Sequence, residues 1–207
     1  MTARKPRTSQ SSKPSYAHMR KGTKGRKAAR QFLQDFGGER KTLVEIGSFA
    51  GEFAVMAAKE FQQVYAIDPW DFKRYADIQD GRDRNRTENP HPELTGPKVE
   101  GYFDHNTEGI DNIVKLKAYD YDVVDKFPAG SIDVVYIDSI HTYKECSLAA
   151  CRWVDKIKKF GVLAGHDYER KAFPGVCAAV EALSDMLGMP FVRYKDSSWA
   201  IRLGPDN

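Results

Sequence analysis

The sequence predicts an α/β domain built on a single doubly wound, Rossmann-like sheet of seven strands, mostly parallel. Short, near-continuous apolar runs alternate with helical segments from residue 28 onward, which is the pattern of a parallel sheet covered on both faces. The last two runs are joined only by a short polar turn, so they form an antiparallel hairpin at one edge. Ionisable residues gather just after the apolar runs, at the strand ends where open parallel sheets bind their ligands.

Taken in order, "AARQFLQDF" has helical spacing and stops at Gly37-Gly38. "TLVEIG" is the first strand, "GEFAVMAAKEF" the helix after it, and "QVYAID" the second strand. "NIVKLKAYD", "SIDVVYID" and "GVLAGHD" supply the third, fourth and fifth strands. Between the fourth and fifth lies "TYKECSLAACRWVDKIK", a helix ending in the cations that helix C-termini prefer. "GVCAAVEALSDML" puts Val176, Val180, Leu183 and Leu187 on one helical face. "FVRYKD" and "SWAIRLG" close the chain as a hairpin about Asp196-Ser197-Ser198. Residues 69–101, rich in Pro, Gly and charge, read as an insertion before the next helix. With Trp70, Phe72, Tyr75 and several arginines, this insertion is the candidate for acceptor recognition and closure.

The net charge of +3 conceals an asymmetry, because residues 1–30 carry ten Lys or Arg and no acid. The chain therefore reads as a basic arm over residues 1–27, too poor in apolar groups to order itself, followed by one domain over 28–207. Three readings of the arm stay open: a solubilising tail, a contact for phosphate-bearing partners such as nucleic acid, or a transit peptide. No apolar run approaches the ~18 residues of a membrane span. Cys146, Cys151 and Cys177 form an odd set without paired metal spacing, as reduced thiols of a cytoplasmic protein would.

"VEIGSFAG" sets Gly47 and Gly51 at a strand-to-helix turn, where glycine admits close backbone approach and the helix start offers unpaired N–H groups. Asp68 follows Gly47 by 21 residues at the tip of the second strand, the place for a carboxylate that receives a ribose diol. Phe49 stands where the dinucleotide fingerprint needs glycine, and Glu45 would repel a diphosphate. A cationic ligand carrying an adenosine ribose fits better. The glycine turn, Glu45 and Asp68 together resemble the class I S-adenosylmethionine-dependent methyltransferases. The resemblance implies that Gly47, Ser48 and Gly51 lie against the methionine end, that Asp68 holds the ribose hydroxyls, and that Asp120 sits where the family contacts adenine.

Asp138 and Asp167 end the fourth and fifth strands, with His141 three residues after the first and His166 just before the second. Two neighbouring carboxylates repel unless a cation lies between them or one stays protonated, so a hard divalent ion such as Mg²⁺ is expected. The plainer alternative is that both acids cap the helices after their strands. The stretch from "SIDVVYIDSIHTY" through "GHDYE" to "FPGVCAAVEAL" resembles, over about residues 40–203, macrocin-type O-methyltransferases and cephalosporin-hydroxylase-like proteins. That resemblance implies metal ligands at Asp138, His166 and Asp167, and a general base at His141. The expected reaction is metal-assisted methyl transfer to a hydroxyl of a sugar-like or natural-product-like small molecule. A cofactor-binding scaffold without turnover and a nucleic-acid ribose methyltransferase using the basic arm are the alternatives. The acceptor's identity and the oligomeric state stay open.

Overall fold

A computed structural model of the chain describes residues 31–71 and 95–204. The expectations for the basic arm, and for Phe72 and Tyr75 in the insertion, lie outside the described residues. The strands are β1 (Thr42–Ile46), β2 (Gln63–Asp68), β3 (Ile113–Lys117), β4 (Ile132–Ile137), β5 (Ile157–Gly165), β6 (Phe191–Arg193) and β7 (Trp199–Arg202). The helices are α1 (Glu52–Ala57), α2 (Gly96–Thr107), α3 (Asp120–Val123), α4 (Tyr143–Trp153) and α5 (Pro174–Leu187), and residues 31–35 are helical before β1.

The seven strands make one sheet in the order β3-β2-β1-β4-β5-β7-β6. The first five run parallel, and β7 pairs antiparallel with both β5 and β6. Each central strand is buried on both sides, which is why its sequence is a continuous apolar run. Alternation still sorts the side chains. Val44, Ile46, Val135, Ile137 and Leu163 enter a core with Trp153 of α4 and Val176 and Val180 of α5. Leu43, Val134, Tyr136 and Val162 enter the other, with Phe32, Phe53 of α1 and Phe103 of α2. Tyr136 and Phe53 stack there with ring centroids 3.8 Å apart. Fully burying each such side chain contributes roughly 1.5–3 kcal/mol. The one acid inside β4, Asp133, sits at the far end of the sheet and is satisfied by Thr42 N and Lys158 Nζ, each at 2.7 Å.

Three expectations are corrected. The helix expected to reach Lys158 ends at Trp153; a 3₁₀ turn follows, and β5 begins at Ile157. Its terminal cations serve the sheet instead, because Ile157 pairs with Ile132 and Lys158 neutralises Asp133. Within the 69–101 stretch, helix α2 already starts at Gly96, with a proline in its first turn where a missing N–H costs nothing. Trp70 is 3% exposed and meets Phe103 edge-on at 5.0 Å, so it is a core residue and not a surface for an acceptor.

The chain leaves β1 toward β2 on one side and returns to β4 on the other. The β1–β4 boundary is therefore the topological switch point, and the crevice outside it is where this architecture places a ligand.

Candidate active site

A cleft opens at the carboxyl ends of β1 to β4. Its wall includes Gly47, Asp68, Asp71, Asp120 and Glu145, backed by Ile46, Ile67 and Ala149. Among the described residues that line it, four are acids and none is basic. Such a field favours a cation and opposes a diphosphate.

The glycine turn is built by its neighbours. Gly47 has φ 90°, and a Cβ there would stand 2.2 Å from the Asp138 carbonyl oxygen. Its glycine is required by the end of β4. Gly51 begins α1 at φ 77°. Phe49, at φ 45°, takes a left-handed conformation that costs a non-glycine residue roughly 1–2 kcal/mol. Asp68 holds it there: Oδ2 accepts Phe49 N–H at 2.9 Å, while Oδ1 accepts Trp70 N–H at 2.7 Å. The Trp70 indole N–H in turn donates to the Phe49 carbonyl at 2.8 Å.

Of the expected cofactor residues, Gly47, Asp68 and Asp120 line the cleft, whereas Glu45, Ser48 and Gly51 are not among its lining residues. Glu45 and Ser48 are each 2% exposed, and Glu45 Oε2 and Ser48 Oγ have no hydrogen-bond partner among the described residues. Burial pushes the Glu45 carboxyl well above the usual range; Ser48 opposes this, and the charges of Asp138 and Asp68 add to it. Burial likewise raises Asp68, against the pull of the Phe49 and Trp70 N–H groups. Asp120 starts α3, and its Oδ2 accepts from Arg152 at 3.2 Å and the Trp153 indole at 3.3 Å.

At the next two strand tips, Asp138 N–H bonds to the Ile46 carbonyl and His166 N–H to the Ile137 carbonyl, at 2.8 and 3.0 Å. Strict alternation would turn consecutive residues His166 and Asp167 to opposite sides. Asp167 instead has φ 63°, a conformation that aspartate tolerates better than most residues, and its carboxylate comes back beside Asp138. Single ligand atoms of Asp138, His141 and Asp167 all lie within 4.8 Å of one another. His141 Nε2 is 2.7 Å from Asp167 Oδ2 and 3.8 Å from Asp138 Oδ1, yet it is buried without an aligned hydrogen bond. His166, implied as the third ligand, is not in that group; its Nδ1 faces Asp167 Oδ1 at 3.1 Å.

Burial alone would lower the His141 pKa, but Asp138 and Asp167 outweigh it and raise the imidazole to about 9. The same opposition, with Asp167 the strongest partner, brings His166 to about 9. Burial would raise Asp167, yet the two imidazoles hold it well below the usual carboxylate range. The Phe173 ring lies 4.5 Å from His141. A Cβ on Gly175 would reach within 2.6 Å of Tyr143 N and 3.1 Å of the His141 carbonyl, so the start of α5 is pressed against the histidine loop. Glu181 accepts from the Tyr168 hydroxyl at 2.6 Å, tying the Asp167 loop to the same helix.

A family model described as a methyltransferase domain matches residues 44–168, which is more than half of the chain and runs from β1 through the Asp167 turn. The chain belongs to that family. It is a class I S-adenosylmethionine-dependent methyltransferase. Among solved structures, the O-methyltransferase NovP is 16% identical at a TM-score of 0.60, covering 85% of this chain and 78% of its own. A SAM-dependent methyltransferase from Aquifex aeolicus is 18% identical at 0.54, over 84% of this chain and 87% of that one. An rRNA methylase from Streptococcus thermophilus is 13% identical at 0.56, over 85% and 94%. At these identities the likeness is one of fold. No curated protein matches the chain.

Sequence reading of the methyltransferase missed Asp71, Tyr119, Tyr121 and Glu145, all of which line the cleft. Asp71 was legible in principle, as a second acid three residues after Asp68. Glu145 becomes a wall residue only through the placement of α4. Among the described residues no helix is long and apolar enough to cross a membrane.

Proposed function

We propose that this methyltransferase moves a methyl group from S-adenosylmethionine to a hydroxyl oxygen of a small molecule, assisted by a divalent cation. The observation that carries the reading is the convergence of Asp138, His141 and Asp167 beside the cofactor cleft. The NovP likeness, to a protein described as an O-methyltransferase, supports the same acceptor atom.

The residues suit a cation. Two carboxylates and a buried imidazole nitrogen without an aligned partner converge on one point, an arrangement that is electrostatically incomplete by itself. Asp138 and Asp167 would hold a hard ion such as Mg²⁺, which seldom needs more than one or two protein carboxylates. An ion held there supplies Lewis acidity, lowering the pKa of a hydroxyl brought beside it.

The chain's own residues do the rest. In its neutral form, His141 Nε2 accepts the hydroxyl proton as the oxygen bonds to the methyl carbon and the carbon–sulfur bond breaks. Phe173 backs the imidazole ring, and Asp167 stabilises the imidazolium that results. Gly47, packed against Asp138, brings the donor cleft and the acceptor side into register, so that in-line geometry is set by two fixed walls.

The test is methyl transfer to diol-bearing acceptors, with and without a chelator. Expected are activity that chelation removes and Mg²⁺ restores, and a fall of about 10²–10⁴-fold in His141→Ala at unchanged cofactor affinity. Full activity under chelation would sink the cation. Tight cofactor binding with no turnover on any acceptor would indicate a scaffold.

A further inference from the structure

Given the cation site proposed at Asp138 and Asp167, on which this rests, we infer that the turn between β6 and β7 is its brace. Trp199, the Ser197 carbonyl and a buried Tyr136–Ser198–Asp196 chain are positioning groups. They keep Asp167 in its left-handed conformation and so set how tightly the two carboxylates grip the ion.

The conformation of Asp167 is the angle between the two peptide planes on either side of its Cα, and the hairpin pins both. Before Asp167, the Trp199 indole N–H donates to the His166 carbonyl at 3.2 Å. After it, Tyr168 N–H donates to the Ser197 carbonyl at 2.8 Å. Neither bond belongs to the sheet ladder, whose last pair between β5 and β7 is Gly165 with Trp199. A left-handed non-glycine residue persists only where its surroundings over-determine it. Released from these two bonds, Asp167 would relax toward the extended backbone of a strand end, and its carboxylate would turn away from Asp138.

The brace is itself held firmly. Trp199 is fully buried, and a Cβ on Gly165 would stand 2.7 Å from its Cζ2, so the indole lies directly over that strand end. The turn carries a second left-handed residue, Ser197 at φ 73°. Asp196 secures it: Oδ1 accepts Ser198 N–H and Oδ2 accepts the Ser198 hydroxyl, both at 3.0 Å. Having given its only proton to a carboxylate, the Ser198 hydroxyl must accept from the Tyr136 hydroxyl, 2.9 Å away. Both residues are buried, and a hydroxyl pair this deep adds little stability over apolar groups of the same shape. What it adds is direction. Tyr136 stands on β4 two residues before Asp138, so the chain ties the turn that sets one carboxylate to the strand that carries the other.

Mn²⁺ binding to the full chain, read from the loss of the free ion's paramagnetic resonance signal, tests this beside calorimetric titration with S-adenosylhomocysteine. The wild type should bind Mn²⁺ and Asp167→Asn should not. Trp199→Phe keeps a ring over Gly165 but lacks the indole N–H. It should bind Mn²⁺ about tenfold more weakly at unchanged S-adenosylhomocysteine affinity. Tyr136→Phe, which loses one hydroxyl and keeps the stack on Phe53, should lose about threefold and carries the test if Trp199→Phe does not fold. Val64→Ala, a core change near the start of β2 at the opposite end of the sheet, should lower the melting temperature and leave Mn²⁺ affinity alone. Unchanged Mn²⁺ affinity in Trp199→Phe or Tyr136→Phe, or an equal loss in Val64→Ala, overturns the brace while the cation site stands. A wild type that binds no Mn²⁺, or binds it no better than Asp167→Asn, overturns the cation site and the brace with it.

Discussion

At the tips of β1 and β2, burial pushes Glu45 and Asp68 toward their neutral forms. At the tips of β4 and β5, two imidazoles pull Asp167 the other way. The same residue type, on adjacent strands of one sheet, is handled in opposite ways. The first region is buried: backbone amides take both oxygens of Asp68, while Glu45 Oε2 and Ser48 Oγ stand without a hydrogen-bond partner among the described residues. The second holds a charged His–Asp–His array in which one partner, His141 Nε2, is not properly bonded. One is closed off by burial, and the other is a site whose protons an incoming ion must displace.

The comparison breaks most visibly if Asp167 is removed. Asp167→Ala, like Asp138→Ala, should cost about a thousandfold or more in metal-dependent transfer while S-adenosylhomocysteine affinity holds, as titration would show. If cofactor affinity falls in parallel, the two regions are not separable.

A smaller effect concerns protons. His141 and His166 rise from 6.5 to about 9 in the folded ion-free protein, so their pairing stabilises it fully below pH 6.5 and is lost as pH rises through about 9. Asp167, being lowered, works oppositely: its contribution is present above its ordinary 3.8 and lost only in stronger acid. Melting of the ion-free protein should therefore fall between pH 6.5 and 9, and Asp167→Asn should flatten that slope.

Glu45 sharpens the contrast from the other side. A carboxyl raised by burial loses stability as pH climbs above its ordinary 4.5. Glu45→Gln, which mimics the neutral form, should gain roughly 2–4 °C over the wild type on going from pH 4.5 to 7. Equal melting shifts at both values would show that Glu45 is ionised after all. The smallest effect lies outside both regions. Phe160, exposed and at φ 65°, occupies a left-handed position in β5, and Phe160→Gly should stabilise the fold by up to about 1 kcal/mol in chemical denaturation.

Much of this was legible beforehand because strand periodicity is a local signal. The seven strands, the hairpin about Ser197 and the apolar face of α5 follow from residue spacing alone. The meeting of Asp138 and Asp167 was also inferable from two strands ending alike. What spacing could not carry was backbone handedness. The left-handed turn at Asp167 decides that this carboxylate, with His141 and without His166, faces Asp138. The closure of Phe49 by Asp68 and Trp70 likewise depends on three residues that touch only once the sheet has formed, which is why Trp70 read as part of an acceptor-recognition surface.

The acidic wall of the cleft has a consequence for turnover. With Asp68, Asp71, Asp120 and Glu145 on it and no basic residue among the described residues lining it, the wall favours a positively charged occupant, Asp120 less so because Arg152 pairs with it. Methyl donation turns a sulfonium into a neutral thioether. The spent donor thus loses the charge that drew it in, and each catalytic cycle weakens the grip on its own by-product.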